Sequence, residues 1–213
     1  MLTKEQIEAN KQRFLELISE IKIPGADTEG LVNYLFTTDF FTAPASTIYH
    51  CNYDGGLCEH SLNVYDNLLK LSEMYYAGIY EKSTIIVLGL LHDISKANFY
   101  EKYAQNKKVY SENGSKFDNL GNFDWVTEEA FKVADANNRF LAGEHGMNSA
   151  LLVSRYIPLN IEETAAIINH MFINDSGSVI KDITPIYNKY HICSLLHCAD
   201  LIATYILESP IKD

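Results

Sequence analysis

The chain has 213 residues and a net charge of −11, with 47% apolar and 21% charged residues. This length and balance predict one globular domain spanning residues 1–213. The excess of acids argues against a broad surface for duplex nucleic acid, but it does not exclude a small anionic substrate. No run of eighteen apolar residues and no signal peptide occur, so we expect a cytoplasmic protein without a membrane span. The four cysteines form no CxxC pair and are expected to be buried free thiols rather than zinc ligands.

The N-terminal part, residues 1–50, is predicted to contain two helices. Apolar side chains recur at helical spacing over residues 3–21, and Thr3 with Gln6 forms a capping box at the start. A second helix is expected to begin near Asp27, followed by an irregular stretch.

Residues 51–207 are predicted to form the core of the domain. A helix that starts at Gly55-Gly56 and runs to about Tyr76 carries His60 in its first turn. The next helix is apolar on every side, as is typical of a helix in the middle of a domain.

The apolar helix ends directly in His92-Asp93, which places a carboxylate at the edge of the core. An unpaired carboxylate there is costly, so Asp93 needs a compensating charge. Lys96, three residues further on, could supply an ordinary ion pair. A bound metal cation is the alternative.

Residues 98–143 interrupt the helical pattern and predict a small β insertion. Asn113-Gly114 between strand-like arms is a hairpin signal, and residues 123–133 could add a strand. Five lysines, with aromatic residues among them, occur between positions 96 and 116 (Lys96, Lys102, Lys107, Lys108 and Lys116). Lysine with aromatic residues suits a phosphate and a base. The alternative is a solvated hairpin whose tyrosines pack on the helical body.

Helices are predicted to resume at residue 143, just before His145. Asn160 with Glu163 is a capping signature for a helix that carries His170 near its end. A loop is expected over residues 174–185. The last helix is expected from about Tyr187 to Glu208, and Asp200 lies at the edge of its apolar face. Within this helix no Lys or Arg follows Lys189, so Asp200 has no basic partner there.

Imidazole and carboxylate groups recur on these helices, each near an apolar face. Such ligands suit divalent first-row metals such as Mn, Fe, Co, Ni or Zn. Four ligands make one site, whereas six, with Asp93 able to bridge, could make two adjacent sites. The candidate ligands are His60, His92, Asp93, His145, His170 and Asp200.

The order of these residues resembles the pattern that names the HD superfamily of metal-dependent phosphohydrolases. The local sequences also match: Gly-Gly-Leu-Cys-Glu-His60-Ser, Leu-Leu-His92-Asp93-Ile-Ser-Lys96 and Leu-Leu-His-Cys-Ala-Asp200. The similarity covers roughly residues 50–207 apart from the insertion, and Ser95 stands where many members have Gly. The resemblance implies a mainly α HD-domain helical bundle with a small β-hairpin insertion. It also implies that His145 and His170 are the additional ligands of two-metal members.

The same resemblance implies a hydrolase for a nucleotide or another small phosphate ester. The metals, one or two per chain, would activate a water beside Asp93, and Lys96 would contact a substrate phosphate as a catalytic and binding residue. Two other functions remain open. A di-iron oxygenase could use the same six ligands, and a ligand sensor could have kept the cage, although a complete ligand set argues against a sensor.

Four further residues near these motifs receive structural interpretations. His197, one turn before Asp200, is expected to be a core histidine or a partner of a ligand. His50 and His191 are expected to be structural. Glu144 could support His145 or could be an acid favoured by the helix dipole.

Overall fold

A computed structural model describes residues 1–171 and 183–209 of the chain. Over these ranges the fold is mainly α with one small sheet, which confirms the predicted helical bundle with a β insertion. The α-helices are α1 Lys4–Ser19, α2 Thr28–Phe36, α3 Gly56–Tyr76, α4 Lys82–Leu91, α5 His145–Val153, α6 Ile161–Ile168, α7 Ile183–Lys189 and α8 His191–Ile202.

The predicted helix starts at Thr3 and Asn160 are confirmed. In each capping box the side chain accepts a hydrogen bond from a backbone N–H of the first turn, and Gln6 or Glu163 accepts one in return. These contacts satisfy N–H groups that a helix start otherwise leaves without partners.

The core lies between α3, α4, α6 and α8. Every residue from Ile85 to Leu91 of α4 is buried, as expected for a central apolar helix. Gly89 allows α4 to approach α3 closely, because a Cβ there would lie 2.5 Å from the Cα of Tyr65. This close approach brings the end of α4 near the first turn of α3.

The insertion forms a three-stranded antiparallel sheet, with β3 between β1 and β2. Its strands are β1 Tyr100–Tyr110, β2 Lys116–Asp118 and β3 Gly121–Val133. Asn113-Gly114 does not join two paired arms, as the hairpin signal suggested. Instead this segment carries the chain from β1 to β2, at opposite edges of β3. Gly114 fits because its Cα faces the backbone of Phe123, where a Cβ would lie 2.4 Å from the Phe123 nitrogen.

The last predicted helix is interrupted. α7 ends at Lys189, Tyr190 adopts an extended conformation, and α8 follows before a π-helical turn at Ala203–Leu207. Of the loop predicted over 174–185, residues 174–182 lie outside the described residues and the remainder belongs to α7.

Helix length and apolar character were compared with those of a membrane span over residues 1–171 and 183–209. No single helix there has the length and apolar character to cross a membrane. The bent pair Ile183–Lys189 and His191–Leu207 reaches that length and composition only when the two segments are taken together across a 112° bend.

Candidate metal centre

Five helices bring all six predicted ligands to one place. His60 lies in the first turn of α3, and His145 is the first residue of α5. His92 and Asp93 directly follow α4, His170 lies two residues after the end of α6, and Asp200 lies in the last turn of α8. Four of the six residues are almost completely buried, namely His60, His92, Asp93 and His170. The side chains of His145 and Asp200 are 14% and 16% exposed, so the cluster reaches solvent at these two residues.

The two carboxylate oxygens of Asp93 face different histidine pairs. Oδ2 lies 3.7 Å from Nε2 of His60 and 3.5 Å from Nε2 of His92. Oδ1 lies 3.8 Å from Nε2 of His145 and 3.6 Å from Nε2 of His170. This is the arrangement expected of a carboxylate that bridges two adjacent cations.

Potential ligand atoms fall into three overlapping groups among the described residues. In each group the atoms lie within 4.8 Å of one another: His60, His92 and Asp200; His92, Asp93 and His170; and His50, His60 and Glu208. The Nε2 atoms of His145 and His170 are 3.2 Å apart. The cluster therefore has enough donors for more than one metal ion.

Backbone carbonyls fix the ring orientation of two histidines. Nδ1 of His92 lies 3.0 Å from the Gly89 oxygen, and Nδ1 of His170 lies 2.8 Å from the Ile167 oxygen. A carbonyl can only accept, so Nδ1 carries the proton in each ring. Burial lowers the pKa of both rings, to about 3 for His170, which leaves Nε2 with a free lone pair.

Three buried polar atoms in the cluster have no hydrogen-bond partner among the described residues. They are Nε2 of His60, Nε2 of His92 and Oδ1 of Asp93. Such atoms are costly in a protein interior unless a ligand satisfies them. Nitrogen and oxygen donors of these kinds fit a divalent transition metal.

The charged residues of the cluster shift one another's pKa values. Burial raises the pKa of Asp93, but Lys96 and the surrounding histidines lower it well below its usual range. Burial lowers the pKa of His60, whereas the Asp200 and Glu208 carboxylates raise it to about 10. His60 must therefore release a proton before it can bind a metal through Nε2.

Lys96 lies beside the cluster in the short 3₁₀ helix Ile94–Lys96. Its Nζ is 2.7 Å from Oδ2 of Asp93, and its side chain is 15% exposed. Burial would lower the pKa of Lys96, but the Asp93 carboxylate more than offsets that and raises it. The ion pair expected from the spacing is thus present, and contact of Lys96 with a substrate stays a prediction.

Two residues near His60 were not predicted as parts of the site. Glu208 places its carboxylate 3.0 Å from Nδ1 of His60. The ring of His50 lies 4.7 Å from that of His60, centroid to centroid, with both of its nitrogens buried and unpartnered among the described residues. Helical spacing gave no signal for Glu208, and His50 lies in an irregular segment where periodicity is uninformative.

The remaining residues with a structural interpretation are His197, His191 and Glu144. The Tyr187 hydroxyl is 2.6 Å from Nδ1 of His197, and the Tyr76 hydroxyl is 3.0 Å from Nδ1 of His191. Glu144 is exposed at the N-cap of α5, without a capping bond from its side chain.

The basic residues of the insertion are mostly paired with acids. Lys102 binds Asp54 and Glu129, and other ion pairs join Lys107 to Glu128 and Lys108 to Asp118. These pairs favour a solvated sheet over a phosphate-binding surface for the outer part of the insertion. The start of the insertion lies close to the cluster in sequence, because β1 begins four residues after Lys96.

Comparison with known proteins gives a family and one informative relative. The HD domain model matches residues 57–196. The dihydroneopterin 2',3'-cyclic phosphate phosphodiesterase of Methanocaldococcus jannaschii is 34% identical over 99 residues, which are 45% of this chain. The chain spans 39% of the length of that relative. No solved structure matches the chain. The matched range contains five of the six predicted ligands, all but Asp200, and the chain belongs to the HD domain family.

Proposed function

We propose that this chain is a metal-dependent phosphohydrolase that acts on a small phosphate ester. The observation that carries the proposal is the position of Asp93, whose two oxygens face separate pairs of histidine Nε2 atoms. Membership of the HD domain family and the similarity to a phosphodiesterase support the same reaction class.

The donor set suggests how one or two metal ions would be held. His60, His92, Asp93 and Asp200 would bind the first ion, and Asp93 with His145 and His170 would bind the second. Bound divalent ions would supply an activated water and neutralise charge on the phosphoryl oxygens. The buried surroundings of Asp93 exclude bulk water and thereby strengthen every electrostatic interaction there.

Lys96 is the residue that we assign to the substrate phosphate. Its side chain is 15% exposed, and its ammonium lies next to the oxygen of Asp93 that faces His60. A positive charge held there would stabilise oxygens that gain negative charge as the ester bond breaks.

The substrate is proposed to be a nucleotide or a chemically similar small ester. The relative acts on a 2',3'-cyclic phosphate, so a cyclic phosphodiester of this kind is the first compound to test. The di-iron oxygenase would need the same ligands, but the named activity of the relative favours hydrolysis.

The experiment compares hydrolysis with dioxygen consumption on one preparation. Protein loaded separately with Mn, Fe, Co, Ni or Zn is assayed on nucleoside 2',3'-cyclic monophosphates, nucleoside monophosphates and bis(p-nitrophenyl) phosphate. Asp93→Asn, which keeps the shape of the side chain, serves as the control. Metal-dependent ester cleavage that is absent from Asp93→Asn supports the proposal. Dioxygen uptake by the Fe-loaded protein, with no cleavage under any metal, would favour the oxygenase.

A further inference from the structure

Glu208 holds the ring of His60 from the side opposite the Asp93 carboxylate. Its two carboxylate oxygens lie 3.1 and 3.0 Å from Nδ1 of His60, and its side chain is only 2% exposed. Asn63, one helical turn after His60 on α3, donates a hydrogen bond of 2.9 Å to the same carboxylate. Glu208 is therefore fixed against the helix that carries the predicted ligand.

A π-helical turn brings Glu208 to this position. Glu208 follows Asp200 by eight residues, which in a regular α-helix would place it about 80° away around the axis. The turn Ala203–Leu207 is π-helical, and the Glu208 N–H donates to the carbonyl of Ala203. The wider turn absorbs one residue, so Glu208 points as the seventh residue of a regular helix would, roughly 20° from Asp200.

Asp200 and Glu208 consequently reach the same imidazole from its two nitrogens. Oδ1 of Asp200 lies 3.3 Å from Nε2, while Glu208 lies at Nδ1. Because Glu208 holds the proton at Nδ1, the proton that His60 releases on metal binding is the one at Nε2, and the lone pair it leaves is directed at the cluster. His92 and His170 are oriented in the same way by carbonyls, whereas His60 has a carboxylate, which makes the ring a stronger donor.

We propose that Glu208 is a positioning residue for His60, and that the π-helical turn Ala203–Leu207 brings it into place. Glu208 lies outside residues 57–196, the range that the family model matches. The proposal rests on the metal site within the proposed function and not on the reaction, so metal binding alone can test it.

The experiment measures zinc binding to metal-free protein by competition with a chromophoric chelator. The variants are Glu208→Ala, Glu208→Gln and the control Glu59→Gln. Glu59 is adjacent to His60 in sequence, but its carboxylate accepts a hydrogen bond from Tyr53. The control therefore removes a neighbouring negative charge without touching the His60 ring. Melting temperature and zinc stoichiometry are measured on the same samples.

Glu208→Ala is expected to weaken zinc binding by about 10- to 100-fold, the usual effect of losing a partner of a ligand histidine. Glu208→Gln should recover part of that loss, because its amide oxygen still accepts the proton of Nδ1. Glu59→Gln should bind zinc like the wild type.

Two results would overturn the proposal. One is unchanged zinc affinity in Glu208→Ala with only a lower melting temperature. Glu208 would then only stabilise the packing of α3 against the π-helical turn. The other is the loss of one zinc ion per chain in both Glu208 variants, which would make Glu208 a ligand. A wild-type protein that binds zinc through His60 but cleaves no phosphate ester would contradict the proposed function and leave the role of Glu208 intact.

Discussion

The ammonium of Lys96 lies 2.7 Å from Oδ2 of Asp93, the carboxylate oxygen that also faces His60 and His92. One oxygen atom thus serves both the lysine and the first group of predicted ligands. A metal ion held by Asp93 would weaken the attraction between this carboxylate and Lys96 and so leave the lysine charge available to a phosphate. The predictions for Lys96 and Asp93 depend on this sharing.

Lys96→Ala should keep the metal content of the protein and slow its turnover. The lost charge is that of an electrostatic donor near the reacting oxygens, for which about 10²-fold or more is expected. Metal content, melting temperature and turnover are measured on one preparation. Lys102→Ala is a matched control, because Lys102 pairs with Asp54 and Glu129 in partly exposed positions.

If Lys96 only neutralises Asp93, the outcome for Lys96→Ala is different. The metal-free variant would melt at a lower temperature, because a buried carboxylate loses its cation. Turnover per folded molecule would then equal that of the wild type, and the assignment to the substrate would be wrong.

Asp93→Ala should remove both metal ions and all activity while most of the helical fold remains. Its oxygens face both histidine pairs, so one substitution affects both groups. His92→Ala should likewise abolish metal occupancy, because His92 belongs both to the group with His60 and Asp200 and to the group with Asp93 and His170. Elemental analysis and far-ultraviolet circular dichroism check the two expectations. A variant with full metal content and normal turnover would show that the centre lies elsewhere.

The second metal ion depends on His145 and His170, whose Nε2 atoms approach Oδ1 of Asp93. Elemental analysis of carefully loaded wild type should approach two metal ions per chain. The double variant His145→Ala/His170→Ala should hold about one, since the other group keeps its ligands. Wild type that never exceeds one ion under saturating metal would contradict the six-ligand interpretation and leave the four-ligand one.

Shortening the sheet should change substrate affinity or preference more than metal binding. The start of β1 lies near Lys96, and Lys102 ties it to Asp54, while the distal part between Ala104 and Glu129 is mostly exposed. A variant in which residues 104–129 are replaced by a two-residue turn is compared with wild type for KM and metal content. Identical KM values across the substrate panel would limit the sheet to a structural role.

Three of the predicted ligands accompany a local signal in the sequence, whereas His60, His145 and His170 gained support only from the whole set and from the family resemblance. His92-Asp93 ends an apolar run, and Asp200 borders the apolar face of its helix with no basic partner nearby. Both signals depend only on residues within one or two helical turns, and the structure contains the helices that carry them.

Long-range relations in the same site could not be predicted from periodicity. Glu208 faces His60 only because a π-helical turn shifts the helical phase, and nothing in the spacing from Asp200 indicates such a turn. Likewise Asn113-Gly114 is a strong local hairpin signal, but β1 gains a longer partner in β3 than the arm next to the turn could offer. In the insertion a longer strand pairing replaced the local hairpin, and at Glu208 a change of helical phase produced a contact that regular spacing does not indicate.

The insertion leaves and rejoins the helical body through one pair of neighbouring residues. The Ala134 N–H donates to the Phe99 carbonyl, and the next residues, Tyr100 and Val133, form the first pair of β1 and β3. A segment with such closely spaced ends can grow, shrink or be exchanged during evolution without altering the distance between the elements that flank it. Descendants of one ancestral gene could thus acquire new outer strands and inherit an unchanged helical core.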